Sequence, residues 1–224
     1  IKDHKEDFKN NPKCRHINPC KPELGKVSKH RLDEVTDIVR DKSGLVQFQN
    51  THEFLSGYNS QPNKDDSSLY QFDICDFYPS STEDLIKKAI DFAAQYVDIS
   101  EEDRKLILHT SKSLLYHKDQ AWVKKGKFLI DVTIGGLDGA EKCDLVGLYI
   151  LSKLNQIDSI KAGLFRDDGA AITTLSPKEA EKVKNKIVKV FKDEGLNITI
   201  VANLKVMTFL DVEVDLTTGN HKPY

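Results

Sequence analysis

The chain has 224 residues, with 33 Lys and Arg against 35 Asp and Glu, a formal net charge of −2, 39% apolar residues and 30% charged ones. That composition excludes wholesale disorder and supports a sizeable core, and no apolar run approaches the ~18–20 residues of a membrane span. Taken whole, near-neutral charge argues against a nucleic-acid protein, yet residues 1–31 carry nine basic against four acidic side chains.

The ends, Ile1-Lys2-Asp3-His4 and Lys222-Pro223-Tyr224, read as those of a fragment of a longer chain without a signal segment, so an intracellular place (cytoplasm or nucleus) is expected. Four cysteines, at 14, 20, 75 and 143, show no CxxC spacing. Cys14, His16 and Cys20 offer three zinc ligands without a fourth, so reduced, unpaired thiols are expected instead.

Residues 59–68 lack apolar side chains and read as a linker. Leu69–Ile74 alternates and is rich in β-formers, which predicts a strand. Ser81 with Asp84 resembles a capping box, opening a helix with Leu85, Ala89, Phe92, Ala93 and Tyr96 on one face. A second helix is expected from Ser100 to about Tyr116, and a strand pair over Trp122–Val132 turning at Lys125-Gly126. Asp138–Glu141 resembles another capping box, before an apolar helix reaching about Leu154. Ile160–Phe165 and Ala170–Thr174 read as strands joined by Arg166-Asp167-Asp168-Gly169. Ser176-Pro177-x-Glu179 is a strong helix start, with Ala180, Val183, Ile187 and Phe191 inward and a stop at Gly195. Ile198–Val201 and Thr208–Asp215 close the series as strands, and the order indicates α+β with helices on one face of an antiparallel sheet.

Two acidic clusters carry the chemistry. Asp73 and Asp76 sit at the end of a strand expected to be buried, and Asp167-Asp168 in a tight turn. Buried carboxylates are costly unless paired or bound to a cation. If the two strands are neighbours, Asp73 and Asp167 converge, and such a pair suits two Mg²⁺ ions and in-line phosphoryl displacement. Each motif alone is commonly a solvated helix entry or a plain hairpin turn.

Together the motifs resemble the reverse-transcriptase family of nucleic-acid polymerases: Asp73 followed by Tyr78, and Phe165-Arg166-Asp167-Asp168. Thr133-Ile134-Gly135-Gly136 resembles the family's glycine motif, and Gly195-Leu196-x-Ile198 with Lys205 and Phe209-Leu210-Asp211-Val212 its last two palm motifs. The Phe-Leu-Asp-Val form is similar to Penelope-like retroelement enzymes. Residues 15–29, from Arg15 through Lys21, Glu23, Gly25 and Ser28 to Lys29, resemble the fingers strand that holds an incoming triphosphate. Phe165 stands where the family usually has Tyr, and Ala170-Ala171 follows the turn where a larger apolar residue is commoner.

The resemblance implies a right-hand polymerase: a palm with a ferredoxin-like antiparallel sheet and helices on one face, plus fingers, with the thumb missing. It places fingers and linker in 1–69, palm in 70–206 with a fingers insertion at about 99–133, and the start of a palm–thumb junction in 207–224. It implies a retroelement reverse transcriptase making DNA from dNTPs on an RNA or DNA template-primer, with two Mg²⁺ ions (Mn²⁺ as substitute). Asp73, the Ile74 carbonyl, Asp167 and Asp168 are the implied metal-site residues, and Lys205 the acid that protonates pyrophosphate. Arg15, Asp76, Phe77, Tyr78 and Gly135 are implied to bind the nucleotide, Tyr78 by excluding a 2′-hydroxyl. Lys124, Lys125, Phe209 and Leu210 are implied to contact nucleic acid, and Trp122 either stacks on a base or fills a hairpin core. Three other readings stay open: an RNA-templated RNA polymerase, which Tyr78 opposes; a nucleotide cyclase, which lacks the motif around Arg15; and an inactive domesticated module that binds nucleic acid.

Overall fold

The computed structural model describes residues 22–112, 115–122 and 132–224. In chain order these form α1 (Glu23–Ser43), β1 (Val46–Gln47), α2 (Thr51–Asn59), a 3-10 turn at Lys64–Asp66, β2 (Ser68–Cys75), α3 (Phe77–Ser80), α4 (Glu83–Ala93) and α5 (Glu101–His109). There follow β3 (Leu115–His117), β4 (Gln120–Trp122), α6 (Gly139–Leu154), β5 (Lys161–Phe165), β6 (Asp168–Thr173), α7 (Pro177–Asp193), β7 (Asn197–Leu204), β8 (Val206–Phe209), β9 (Val212–Asp215) and β10 (His221–Pro223).

The main sheet has the order β1-β5-β6-β2-β7, antiparallel throughout except for β1, which runs parallel to β5. Strands β2, β5, β6 and β7, with helices between β2 and β5 and between β6 and β7, make a β-α-β-β-α-β arrangement, here with extra helices in the first connection. Alternation along β2 divides the two faces. Tyr70, Phe72 and Ile74 enter the core beneath the helices, while Leu69 joins a second cluster on the other face and Asp73 is exposed. The first core also holds Leu32, Val35 and Val39 of α1, Ile86 and Ile90 of α4, Leu148 and Ile150 of α6, and Ile187 and Phe191 of α7. Helix α1, ahead of the polar stretch at 59–68, therefore shares one core with α4, α6 and α7.

The second cluster joins α2 to a three-stranded sheet of order β10-β9-β8. Phe48, Phe54 and Phe209 meet there, with the Phe54 and Phe209 centroids 4.8 Å apart. Residues 207–224, read from sequence as the start of a palm–thumb junction, form most of this small sheet.

Several local expectations change. Of residues 15–29, likened to a fingers strand, those up to Lys21 lie outside the described residues, and from Glu23 onward the stretch belongs to the 21-residue helix α1. The cap of α4 is Thr82, whose side chain accepts from Leu85 N–H, whereas Ser81 is buried with its hydroxyl on Phe77 C=O. Asp138 does not cap α6 through its side chain. The hairpin next to Trp122 is β3–β4, turning at Lys118-Asp119, and α5 ends at His109. A turn at Lys125-Gly126 lies outside the described residues. At α7 the expected box is present: Glu179 accepts from Ser176 N–H at 3.3 Å and from its hydroxyl at 2.5 Å.

Asp138 is used inward instead. It is 3% exposed and lies 2.9 Å from the ammonium of Lys142, which is 1% exposed. It accepts from Ser28 of α1 at 2.6 Å and from Thr110 at 2.5 Å, and Lys142 donates to Thr110 at 2.8 Å. One buried ion pair thus ties α1, the end of α5 and the first turn of α6, with hydrogen bonds that offset the cost of removing both charges from water.

Candidate active site

The β5–β6 hairpin turns through Arg166 and Asp167 alone, and Asp168 already lies in β6, opposite Phe165. A two-residue turn that follows strand twist needs positive φ at its first central residue, and Arg166 adopts φ 54°. Gly169, expected within this turn, lies instead in β6 opposite Phe72, where a Cβ would fall 2.0 Å from the Phe72 ring.

Registration of β6 on β2 sets Asp168 directly across from Asp73. Directly opposed residues share a face with Cβ atoms ~4.5–5.5 Å apart. Both are exposed on the face away from the helix-covered core. Asp167 lies one residue back in the turn, and its carbonyl accepts from Ile74 N–H at 2.8 Å. Sequence alone pairs Asp73 with Asp167; the ladder makes Asp168 the cross-strand partner and Asp167 the neighbour at the rim.

Open to solvent on one side, the carboxylates of Asp73 and Asp168 are partly desolvated by their neighbours and crowded by like charge. Burial first, then the charges of Asp167 and Asp76, holds the Asp73 carboxyl above its ordinary value. Asp168 is raised by burial, then by Asp167 and Asp73. No Lys or Arg ion-pairs with Asp73, Asp167 or Asp168 among the described residues. Arg166 places its guanidinium over the Phe165 ring, 5.6 Å from the centroid.

Beyond Asp73 the chain turns sharply. Asp76 precedes α3 with φ 48°, a region that Asp tolerates better than most residues. This bend buries Phe77 to 2% and leaves Tyr78, within α3, half-buried against α6. A Cβ on Gly139 would lie 3.6 Å from the Tyr78 ring, so the first turn of α6 forms the wall behind it. Burial, then the neighbouring Cys143, raises the Tyr78 phenol to about 12, against the pull of Arg166. The thiol of Cys143 is also raised by burial.

Asp144 belongs to none of the sequence motifs. Burial lifts its carboxyl to about 6, opposed by the nearby charges of Arg166 and Arg40. The available signal is a lone acid among Cys143, Leu145 and Val146, on a helix that is apolar along most of its length.

The other expected residues are dispersed. Gly135 is exposed in the bend before α6, with φ 86°. Lys205 stands apart from the carboxylates: its ammonium donates to Asp65 C=O at 2.6 Å and Ser67 C=O at 2.7 Å. It follows the Leu69–Leu204 end of the β2–β7 ladder, whereas Asp73 pairs with Thr199. Phe209 has its ring 3% exposed, packed into the second cluster. Leu210 lies in the tight β8–β9 turn with φ 50°. Arg15, Lys124 and Lys125 lie outside the described residues, as does the side chain of Trp122. A surface cavity of about 450 Å³ between α4 and α5, lined by Glu83, Lys105, His109 and Lys112, shares no residue with the carboxylates.

Among the described residues, no group of three or more His, Cys, Asp and Glu side chains is arranged to hold a metal ion by itself. Mg²⁺ characteristically takes one or two carboxylates and completes its shell with water and substrate phosphates. Hard oxygen donors, mutual repulsion and, among the described residues, no competing ammonium or guanidinium pair make Asp73, Asp167 and Asp168 chemically suited to such a cation.

No protein-family model and no curated protein matches the chain. Solved structures do. Apo telomerase from Candida tropicalis matches 89% of this chain and 40% of its own at a TM-score of 0.68 and 15% identity, and a C-terminally truncated form matches at 0.65 and 16% over 89% and 45%. The BmCPV RNA-dependent RNA polymerase at its elongation state matches 92% of this chain and 20% of its own, at 0.61 and 12% identity. The chain thus has a polymerase-like fold and spans less than half the length of these structures.

Proposed function

We propose that the chain is the catalytic part of a retroelement reverse transcriptase, making DNA from dNTPs on an RNA or DNA template-primer. The observation that carries this reading is the juxtaposition of Asp73 with the Asp167-Asp168 turn at one rim of a sheet, within a fold shared with polymerases. Asp73 and Asp167 are the residues that would hold Mg²⁺, aided by the Ile74 carbonyl, with Asp168 tuning the field beside them. Divalent cations bound there supply charge neutralisation at the triphosphate and lower the pKa of a primer 3′-hydroxyl.

The residues of the chain do the positioning. Asp76 turns the backbone so that Tyr78 stands against α6 near the carboxylates. In this reading its ring lies beneath the sugar and fills the place of a 2′-hydroxyl, which selects deoxynucleotides. The Phe209–Val212 turn, similar to Penelope-like enzymes, is a structural hairpin whose Leu210 end is the part left to meet nucleic acid.

The test is Mg²⁺-dependent primer extension on a primed RNA template. Asp73→Asn and Asp167→Asn are each expected to abolish extension while thermal unfolding stays near that of the parent. Tyr78→Ala is expected to relax discrimination against ribonucleotides by tenfold or more. Near-normal extension by either Asp variant refutes the carboxylate assignment; a parent that binds template-primer yet extends nothing supports a binding module instead.

A further inference from the structure

Among the described residues, helix α7 carries a group of cations without partners. On α7, Lys184 pairs with Glu181 and Lys189 with Asp193. Lys178, Lys182 and Lys186 are exposed and make no ion pair or hydrogen bond among the described residues. Elsewhere among the described residues Lys87 and Lys88 pair with carboxylates and Lys42 and Lys205 with carbonyls, while Lys105, Lys112, Lys118 and Lys161, scattered over other elements, make no ion pair or hydrogen bond. Glu179 reaches Lys182 only through charge, since its carboxylate is held by the Ser176 cap.

The spacing is regular. Residues four apart share a helix face at ~6 Å per step, so Lys178, Lys182 and Lys186 form a row, with Lys189 alongside. The buried row Ala180, Val183, Ile187 and Phe191 occupies the opposite side and packs into the first core. Helix α7 therefore covers the face of the main sheet that Asp73 and Asp168 do not share.

The chemistry of this row selects its partner. Lysine is a compact point charge that suits phosphate, and a line of them matches the repeating negative charge of a nucleic-acid backbone. An interfacial membrane helix needs a free apolar face, and that of α7 is spent in the core. A protein hot spot needs aromatic or large apolar anchors, and no exposed large apolar side chain lies on α7.

We propose that the row centred on Lys178, Lys182 and Lys186 is an electrostatic docking stripe for the phosphate backbone of single-stranded nucleic acid. It is distinct from the carboxylate cluster and stands whether or not that cluster polymerises.

The test is fluorescence anisotropy of the whole chain with labelled single-stranded RNA and DNA of about 20 nucleotides, titrated across salt. The triple variant Lys178→Glu, Lys182→Glu, Lys186→Glu is expected to bind at least tenfold more weakly at low salt. Losing three phosphate contacts should flatten the slope of log K against log salt by about 2. The triple Lys→Arg variant should bind as the parent does, and thermal unfolding of both should be unchanged. Parent-like binding and slope in the Glu variant overturn the proposal, as does absence of binding by the parent. So does a Glu variant that loses phosphatidylserine vesicles while keeping the oligonucleotides.

Discussion

Gly169 offers a direct test of how packing holds the carboxylates in place. A Cβ there would lie 2.0, 2.3 and 2.5 Å from three atoms of the Phe72 ring, where ordinary contact begins at 3.4 Å. Gly169→Ala therefore demands that ring or strand retreat by roughly 1.4 Å at a site of crystal-like packing density. The ring cannot swing away freely, because Phe72 is 2% exposed and abuts Phe191 with centroids 5.6 Å apart. Overpacking of this kind costs about 1–3 kcal/mol and sometimes more, and a core without slack places this case at the upper end, about 3 kcal/mol. Phe72→Leu opens space at a cost of its own, so in the double variant the methyl should be accommodated, with a coupling energy of at least about 1 kcal/mol. Urea denaturation at fixed m measures all four corners of the cycle. A Gly169→Ala chain within about 0.5 kcal/mol of the parent, or additive single changes, would refute the reasoning.

Two further predictions concern buried charge. Lys142→Met leaves Asp138 buried without its cation and should lower unfolding free energy by about 3–5 kcal/mol, while Lys142→Met with Asp138→Leu should recover most of it; a single variant as stable as the double contradicts this. Asp144 holds its proton more tightly folded than unfolded, since its carboxyl stands at about 6 against an ordinary 3.8. Stability from this group is therefore present below about pH 4 and lost as pH rises to about 6, a change of about 2 kcal/mol after discounting for partial solvation. Asp144→Asn should gain about that much relative to the parent between pH 4 and pH 7 in urea midpoints; a constant difference across that range counts against the burial.

Where pattern and function coincide, the sequence is readable. Leu69–Ile74 alternates strongly enough to place Asp73 on the face away from the helices, and Ser176-Pro177-x-Glu179 starts α7 as expected. Helix α1 is hidden in the sequence because its first buried positions are Gly25 and Ser28, and apolar spacing emerges only at Leu32, Val35 and Val39. Asp138 has the pattern of a cap, but Lys142 one turn later draws its carboxylate inward, an outcome set by tertiary neighbours. Phe209 and Lys205 sit in motif-like positions yet are occupied by Phe54 and by the Asp65 and Ser67 carbonyls, contacts made across long chain separations. The pairing of Asp73 with Asp168 is close to legible, and its one-residue offset comes from a turn of two residues where the sequence suggests four.

The Asp138–Lys142 pair also bears on how this chain can change over generations. Replacing both members by apolar residues is often neutral or stabilising, whereas losing either alone is severe. Single-step substitution must then cross a valley of about 3–5 kcal/mol, a large share of the ~5–15 kcal/mol that keeps a domain folded. Ser28 and Thr110, which hydrogen-bond to the same carboxylate, deepen that valley from two further helices. The pair can persist through descent because its exits are closed, without catalysing or binding anything. Invariance at these two positions among relatives would record this epistasis, and should not by itself be taken as the mark of an active site.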